Sequence, residues 1–251
     1  MNRKTRVWNV DFSHVDLKEA LSVVKEAIRS HEQMSIAFVN PHSQVVASKD
    51  AKFRQSLEKF SMILADGVGV VIGSRLVGDA LPARISGPAF FRTLSIELNR
   101  EHQGVRYFFL GSTDDVLRQI SDRIESDYPG VVLAGTYSPP MGDFSVEDER
   151  EILSVIRKSK ADVLWVGMTA PKQEKWISEC GDGTGVSVVA GIGAEFDYYA
   201  GTKKRPPSWI SNMGLQWLHR FIQEPRRTWR RHVISAPVFL FNVLRQRRDQ
   251  A

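Results

Sequence analysis

Six short apolar runs, at residues 36–39, 62–65, 105–110, 131–134, 163–166 and 186–190, constrain the fold of this chain more than any other feature. They are four to six residues long and lack the polar alternation of a half-solvated strand, so they suit strands covered on both faces. Helical patterns lie between them. One runs over residues 17–29 with Ala20, Leu21, Val24 and Ile28 on one face, and others begin near Gln44, after Asp66, after Thr113, at residue 146 and at Pro171. A further short strand is expected at residues 6–10. This alternation predicts an α/β fold: a Rossmann-like, mostly parallel sheet with flanking helices.

The carboxyl ends of strands are where an open α/β sheet binds ligands, and the chemistry-bearing residues of this chain cluster there. The run 62–65 leads directly into Asp66-Gly67-Val68-Gly69. This is a fragment of a dinucleotide fingerprint whose third glycine falls one residue late, at Gly73, and it fits equally a tight turn in which Asp66 caps a helix. The run 36–39 ends in Asn40-Pro41-His42-Ser43, where His42 suits acid–base work, phosphate binding or a plain turn. Arg84, ahead of Ser86-Gly87-Pro88, can reach an anion or lie on the surface. Gly111 opens a turn into a capped helix, a common phosphate site. Lys172 and Gln173 fall in the first turn of a helix begun by Pro171, at the same ligand edge.

Charge divides the chain in two. Residues 202–251 hold eleven Lys and Arg against two acids, a net +9, whereas the whole chain is +5, which leaves −4 for residues 1–201. We therefore expect an α/β core at 1–201 and a basic, amphipathic helical appendage at 202–251. The appendage carries a helical pattern at 209–222, four arginines around Trp229, and an apolar run at 233–244 too short to span a bilayer. Arginine and tryptophan beside so much aliphatic surface point to an anionic membrane surface rather than nucleic acid, the alternative being packing on the body or on a second subunit. One cysteine, Cys180, excludes an intramolecular disulfide and fits a reducing compartment. No secretion signal or spanning segment is expected, which fits a cytoplasmic protein bound peripherally to an acidic membrane surface.

Asn40, Ala65-Asp66-Gly67-x-Gly69, Arg84-x-Ser86-Gly87, Phe109-Leu110-Gly111, Pro171-Lys172-Gln173-Glu174-x-Trp176, Gly193-Ala194-x-Phe196-Asp197, Ala200-Gly201, Arg205-x-Pro207 and Trp217-x-x-Arg220 with Glu224-Pro225-x-Arg227 occur in that order. The set resembles the WecG/TagA/CpsF family of bacterial glycosyltransferases. The resemblance implies inverting transfer from a UDP-sugar, of the N-acetylmannosamine, uronic acid or glucose type, to a polyprenyl-diphosphate-linked saccharide in surface-polysaccharide synthesis. It implies that Asp66 is the base and that Arg84 steadies the donor diphosphate. It places Asn40, Gly67, Gly111, Gln173 and Asp197 at the substrates, with His42 joining them from its place beside Asn40 at the strand end, and Arg205, Arg220, Arg227 and Arg230 as residues brought from the tail. It also implies homo-oligomers.

No Asp-x-Asp occurs in the sequence, so no metal and no cofactor is expected, and arginines would neutralise the leaving group. Two positions depart from the family pattern: Phe38 stands where threonine is usual and Gln216 where glutamate is usual. The first departure motivates an alternative, an inactive nucleotide-sugar-binding or scaffold protein of the same fold. A nucleic-acid binder using the basic tail ranks last.

Overall fold

The computed structural model describes residues 3–101, 104–203 and 230–250. Its centre is a six-stranded sheet of β3 (Met34–Val39), β4 (Met62–Ala65), β5 (Arg106–Gly111), β6 (Val132–Tyr137), β7 (Val163–Gly167) and β8 (Val188–Gly191). The strand order is β4-β3-β8-β7-β5-β6, and every neighbouring pair is parallel. The expected Rossmann-like sheet is therefore present, and all six carboxyl ends emerge on one edge.

The β4 strand matches its predicted run, β3 starts two residues earlier, and β5, β6, β7 and β8 end one to three residues later than predicted. Gly111 and Gly167 pair at the ends of β5 and β7, and β6 runs on to Tyr137 through a bulge opposite Phe108. A Cβ on Gly135, where φ is 154°, would come within 2.9 Å of the Phe108 ring, so glycine is what lets the bulge close there.

Two apolar layers cover the sheet. One face holds α1 (Leu17–Ser30), α5 (Gly87–Glu101), α6 (Asp114–Asp127) and α9 (Glu195–Ala200), packed through Leu21, Phe91, Leu94, Ile120 and Phe196. Phe91 is the hinge of this layer, meeting Trp165 edge-on at 5.0 Å and Tyr199 at 5.1 Å. Such pairs contribute about 0.5–1.5 kcal/mol each beyond burial, and these join α5 and α9 to β7. The opposite face holds α2 (Pro41–Lys49), α3 (Ala51–Glu58), α4 (Val68–Leu76), α7 (Val146–Ser159) and α8 (Lys172–Cys180).

The helix starts follow local chemistry. Asp16 and Glu19 form a capping box on α1, Ser145 and Asp148 one on α7, and Thr113 caps α6. The α2 helix begins at Pro41 rather than near Gln44, because the Asn40 side chain accepts from the Ser43 amide and proline suits the first helical position. In place of one strand at 6–10 the chain forms a hairpin, β1 (Lys4–Val7) and β2 (Val10–Ser13), turned at Trp8 where φ is 52°. The hairpin is fastened by Ser13, whose hydroxyl accepts from the Ile63 amide on β4.

At the C-terminal end a π-helical segment, Arg230–Ser235, leads into α10 (Ala236–Gln250). Phe239 and Val243 of α10 are buried against the body; Phe239 lies over Gly73 of α4 and meets the Trp8 ring at 6.4 Å. The other side of the helix is open, with Phe241 67% exposed and Leu240 and Leu244 also solvent-facing. The apolar run at 233–244 thus serves partly to pack on the body. The expected helix at 209–222 lies outside the described residues, and no described helix is long and apolar enough to cross a membrane.

Candidate active site

The strand ends gather the predicted residues from well-separated parts of the chain. Val39 of β3 is in register with Ala65 of β4, so Asn40 and Asp66 follow side by side. The Asp66 amide donates to the Val39 carbonyl at 2.9 Å, which holds the loop entry in a strand-like path. The next segment closes on the same corner: Ile85 donates its amide to the Ala65 carbonyl at 2.9 Å, bringing Arg84 alongside Asp66. Arg84 is half-buried and has no ion-pair partner among the described residues. Behind it Ser86 and Gly87 are buried, and a Cβ on Gly87 would lie 3.5 Å from both Phe38 on β3 and Ile192 after β8.

Asp66 is not the cap of α4. That position belongs to Gly67, at φ 129° and ψ 139°, a conformation that excludes an ordinary side chain. Gly67 and Gly69 both pack on Pro41; a Cβ on Gly69 would come within 2.8 Å of the proline ring. The two glycines let the Asp66 loop seat against the start of α2.

Asn40 spends its side-chain oxygen on the Ser43 amide, at 3.1 Å, leaving its NH₂ group as a donor at the edge. The His42 Nδ1 lies 2.8 Å from the Ser235 hydroxyl, so the C-terminal segment docks on the first turn of α2. Phe38 points into the core, with its ring centroid 5.5 Å from that of Phe90, and this apolar site explains how the position accommodates a phenyl ring.

A second group forms at the β8, β7 and β5 ends. A Cβ on Gly111, where φ is 119°, would lie 2.7 Å from the Gly167 carbonyl oxygen, and one on Gly167 would overlap the Phe196 ring at 2.3 Å. These glycines make room for neighbouring chain and ring. Gln173 lies over Gly191, donates from Nε2 to Glu174 Oε1 at 2.8 Å, and keeps a buried Oε1 with no hydrogen-bond partner among the described residues. Glu174 is 4% exposed, and burial pushes its carboxyl above the usual carboxylate range; its Oε2 likewise lacks a partner among the described residues. Asp197, in the first turn of α9, pairs with Lys203 at 2.9 Å, and its carbonyl accepts from the Thr202 hydroxyl and the Lys203 amide.

Asn40, His42, Asp66, Gly67, Arg84, Gly111, Gln173 and Asp197 therefore all stand at the carboxyl edge. Arg205, Arg220 and Arg227, with Gln216, lie outside the described residues, and only the backbone of Arg230 is described, in the segment that ends at Ser235. The sequence reading assigned no role to Glu174 or Lys172. Lys172 was marked only by its place in the first turn at the ligand edge and Glu174 only by adjacency to Gln173, signals that cannot reveal that one becomes a desolvated cation and the other a buried acid.

Comparison with known proteins agrees with this architecture. The family model described as "Glycosyl transferase WecG/TagA/CpsF family" matches residues 5–251. The N-acetylglucosaminyldiphosphoundecaprenol N-acetyl-beta-D-mannosaminyltransferase of Bacillus subtilis (strain 168) is 34% identical over 215 residues, covering 86% of this chain and 80% of that protein. The enzyme of the same name from Staphylococcus aureus (strain MW2) is 28% identical over 247 residues, 98% of this chain and 94% of that protein. With its parallel sheet, its strand-end carboxylate and a match across nearly its whole length, the chain belongs to the WecG/TagA/CpsF family and is a glycosyltransferase.

Proposed function

We propose that this glycosyltransferase moves a sugar from a UDP-sugar to a polyprenyl-diphosphate-linked saccharide, with inversion and without a metal, in the synthesis of a cell-surface polysaccharide. The N-acetylmannosaminyl transfer named for its relatives makes UDP-N-acetylmannosamine the first donor to test. The observation that carries the reading is the corner where Asp66 stands beside Asn40 with Arg84 drawn in by the Ile85–Ala65 bond. A carboxylate at that corner can take the proton of the acceptor hydroxyl as that oxygen attacks the anomeric carbon. The bond from that carbon to the donor phosphate breaks on the opposite side, and negative charge grows on the departing diphosphate. An arginine without a carboxylate partner among the described residues suits that charge. The absence of Asp-x-Asp from the sequence supports arginine rather than a divalent ion in this part.

Gln173 and Asp197 line the donor side in this reading, with Gly67 and Gly111 shaping the loops beneath, while Asn40 and His42 face the acceptor. Arg205, Arg220, Arg227 and Arg230 come from the 202–251 appendage to the diphosphates. The appendage docks on the inner face of the cytoplasmic membrane through the open side of α10. Exposed Leu240, Phe241 and Leu244 with Arg245, Arg247 and Arg248 support that role.

The test is UDP release from a panel of UDP-sugars with a polyprenyl-diphosphate-linked monosaccharide acceptor, in EDTA. EDTA-resistant turnover that needs the acceptor supports the reading. Binding of donor without UDP release would favour a non-catalytic role, and loss of turnover in EDTA would overturn metal independence. Sedimentation with anionic but not neutral vesicles, lost on deleting 236–251, tests the membrane contact.

A further inference from the structure

Lys172 is held in a way that suits a temporary arrangement. It is the first residue of α8, which follows the carboxyl end of β7; its own amide donates to the Thr169 carbonyl at 2.9 Å, and the helix dipole adds positive potential at this end. Its ammonium lies 3.5 Å from the centroid of the Phe144 ring and donates to the Gly142 carbonyl. Both partners belong to the 138–145 loop. No carboxylate forms an ion pair with it among the described residues; Asp143, on the same loop, is the acid that acts on it from a distance. Desolvation pulls the amine below its usual range, so the group lacks both full hydration and a counter-charge.

The neighbouring atoms are also incompletely satisfied. Gln173, the next residue, keeps its buried Oε1 without a partner among the described residues, an acceptor for a ligand's N–H or hydroxyl rather than for its phosphates. The loop itself is tethered at its two ends, by the Ser138 hydroxyl on the Ser112 carbonyl at 2.9 Å and by the Ser145 cap of α7. Between them Met141 is 95% exposed, and Gly142, at φ 92°, has open space where a Cβ would be. A ring face and one neutral carbonyl hold a cation far less strongly than two phosphates do.

We propose that Lys172 is an anion-binding residue of the transfer site, its ammonium passing from Gly142 and Phe144 of the 138–145 loop to a diphosphate group at the start of α8. This deepens the reading of the chain as a user of nucleotide-diphosphate sugars and rests on it for the source of the anion. The loop acts as the resting partner of the cation. When the diphosphate arrives, the helix start and Lys172 meet it together, and the loop is released at its centre while its ends stay tied.

The experiment is calorimetric titration of the full chain with inorganic pyrophosphate, UDP and farnesyl diphosphate, for wild type, Lys172→Met, Lys172→Arg and Phe144→Leu. Lys172→Met is expected to bind pyrophosphate about ten- to a hundredfold more weakly, the worth of a hydrogen bond between charged groups, and Lys172→Arg to restore most of the loss. Phe144→Leu removes the ring but leaves the ammonium, so it binds as well as wild type or better. A Lys172-dependent loss for UDP alone assigns the site to the donor, and for farnesyl diphosphate alone to the acceptor. Pyrophosphate binding that needs Lys172, with no UDP binding, upholds the site while the donor assignment fails. Equal affinity in wild type and Lys172→Met overturns the proposal, as does the absence of any diphosphate binding by wild type. It is overturned also if Phe144→Leu loses as much as Lys172→Met, since Lys172 would then only clamp the loop.

Discussion

The Asp66 amide bonds to the Val39 carbonyl at 2.9 Å, so the carboxylate of one strand end is carried at a fixed step from Asn40 at the end of the next. The backbone sets that spacing, which means the side chain can be changed without disturbing it. Asp66→Asn should therefore keep the wild-type melting temperature and circular dichroism while transfer falls by about 10²–10⁴, the usual contribution of a positioned base. Turnover close to wild type in the asparagine variant would remove Asp66 from the chemistry.

Gly111 tests how tightly the β5 and β7 ends are packed. Its φ of 119° and the Gly167 carbonyl, 2.7 Å from a built Cβ, leave alanine nowhere to go. Gly111→Ala should cost about 1–3 kcal/mol by overpacking and strain, read from urea unfolding, with the loss falling on global stability. An unchanged midpoint would mean that the two strand ends separate freely.

Glu174 gives a pH dependence whose sign follows from burial. Its folded-state pKa lies above the ordinary value of 4.5, so the unfolded chain loses this proton first as pH rises. The stability it contributes is complete below the unfolded value and is lost as pH climbs through the folded one. Glu174→Gln is not subject to this loss and still offers an oxygen to Gln173. The variant should melt higher than wild type, by a margin that widens from about pH 4.5 upward and then levels; each kcal/mol corresponds to roughly 2–4 °C in a chain of this length. A margin independent of pH would show that Glu174 titrates normally.

Phe239 anchors α10 through its contacts with Gly73 and Trp8. Phe239→Ala removes a buried ring, a change that costs about 3–5 kcal/mol in a core. The loss should appear as faster hydrogen exchange over 236–250, with the amides of β3, β7 and β8 still protected. Simultaneous loss of protection in the sheet would make α10 part of the cooperative fold.

Much of the architecture could be read directly from the chain, for a physical reason. Strands 36–39, 62–65 and 163–166 are short, wholly apolar and bounded by glycine or polar residues, and a parallel sheet covered on both faces needs that pattern. Because parallel strands share a direction, each residue that follows such a run arrives at the same edge, so Asn40 and Asp66 could be singled out from the pattern, while Gln173 and Asp197 were named through the family resemblance. The hairpin at Trp8 and the helix α5 were hidden, since the first depends on one residue at positive φ and the second follows a Ser-Gly-Pro signal that reads as a turn.

Local pattern by itself determined the class of fold and the edge where the strand ends gather, whereas the role of Asp66 there came from the family resemblance. Only the tertiary structure decided what each residue there touches. Gly167 makes room for Phe196 and Gly69 for Pro41; His42 receives Ser235 from 193 positions away; Lys172 rests on a loop from the preceding crossover. Periodicity reports which face of an element is buried, but the strand order β4-β3-β8-β7-β5-β6 determines its neighbours, and that order is set by packing across the whole chain.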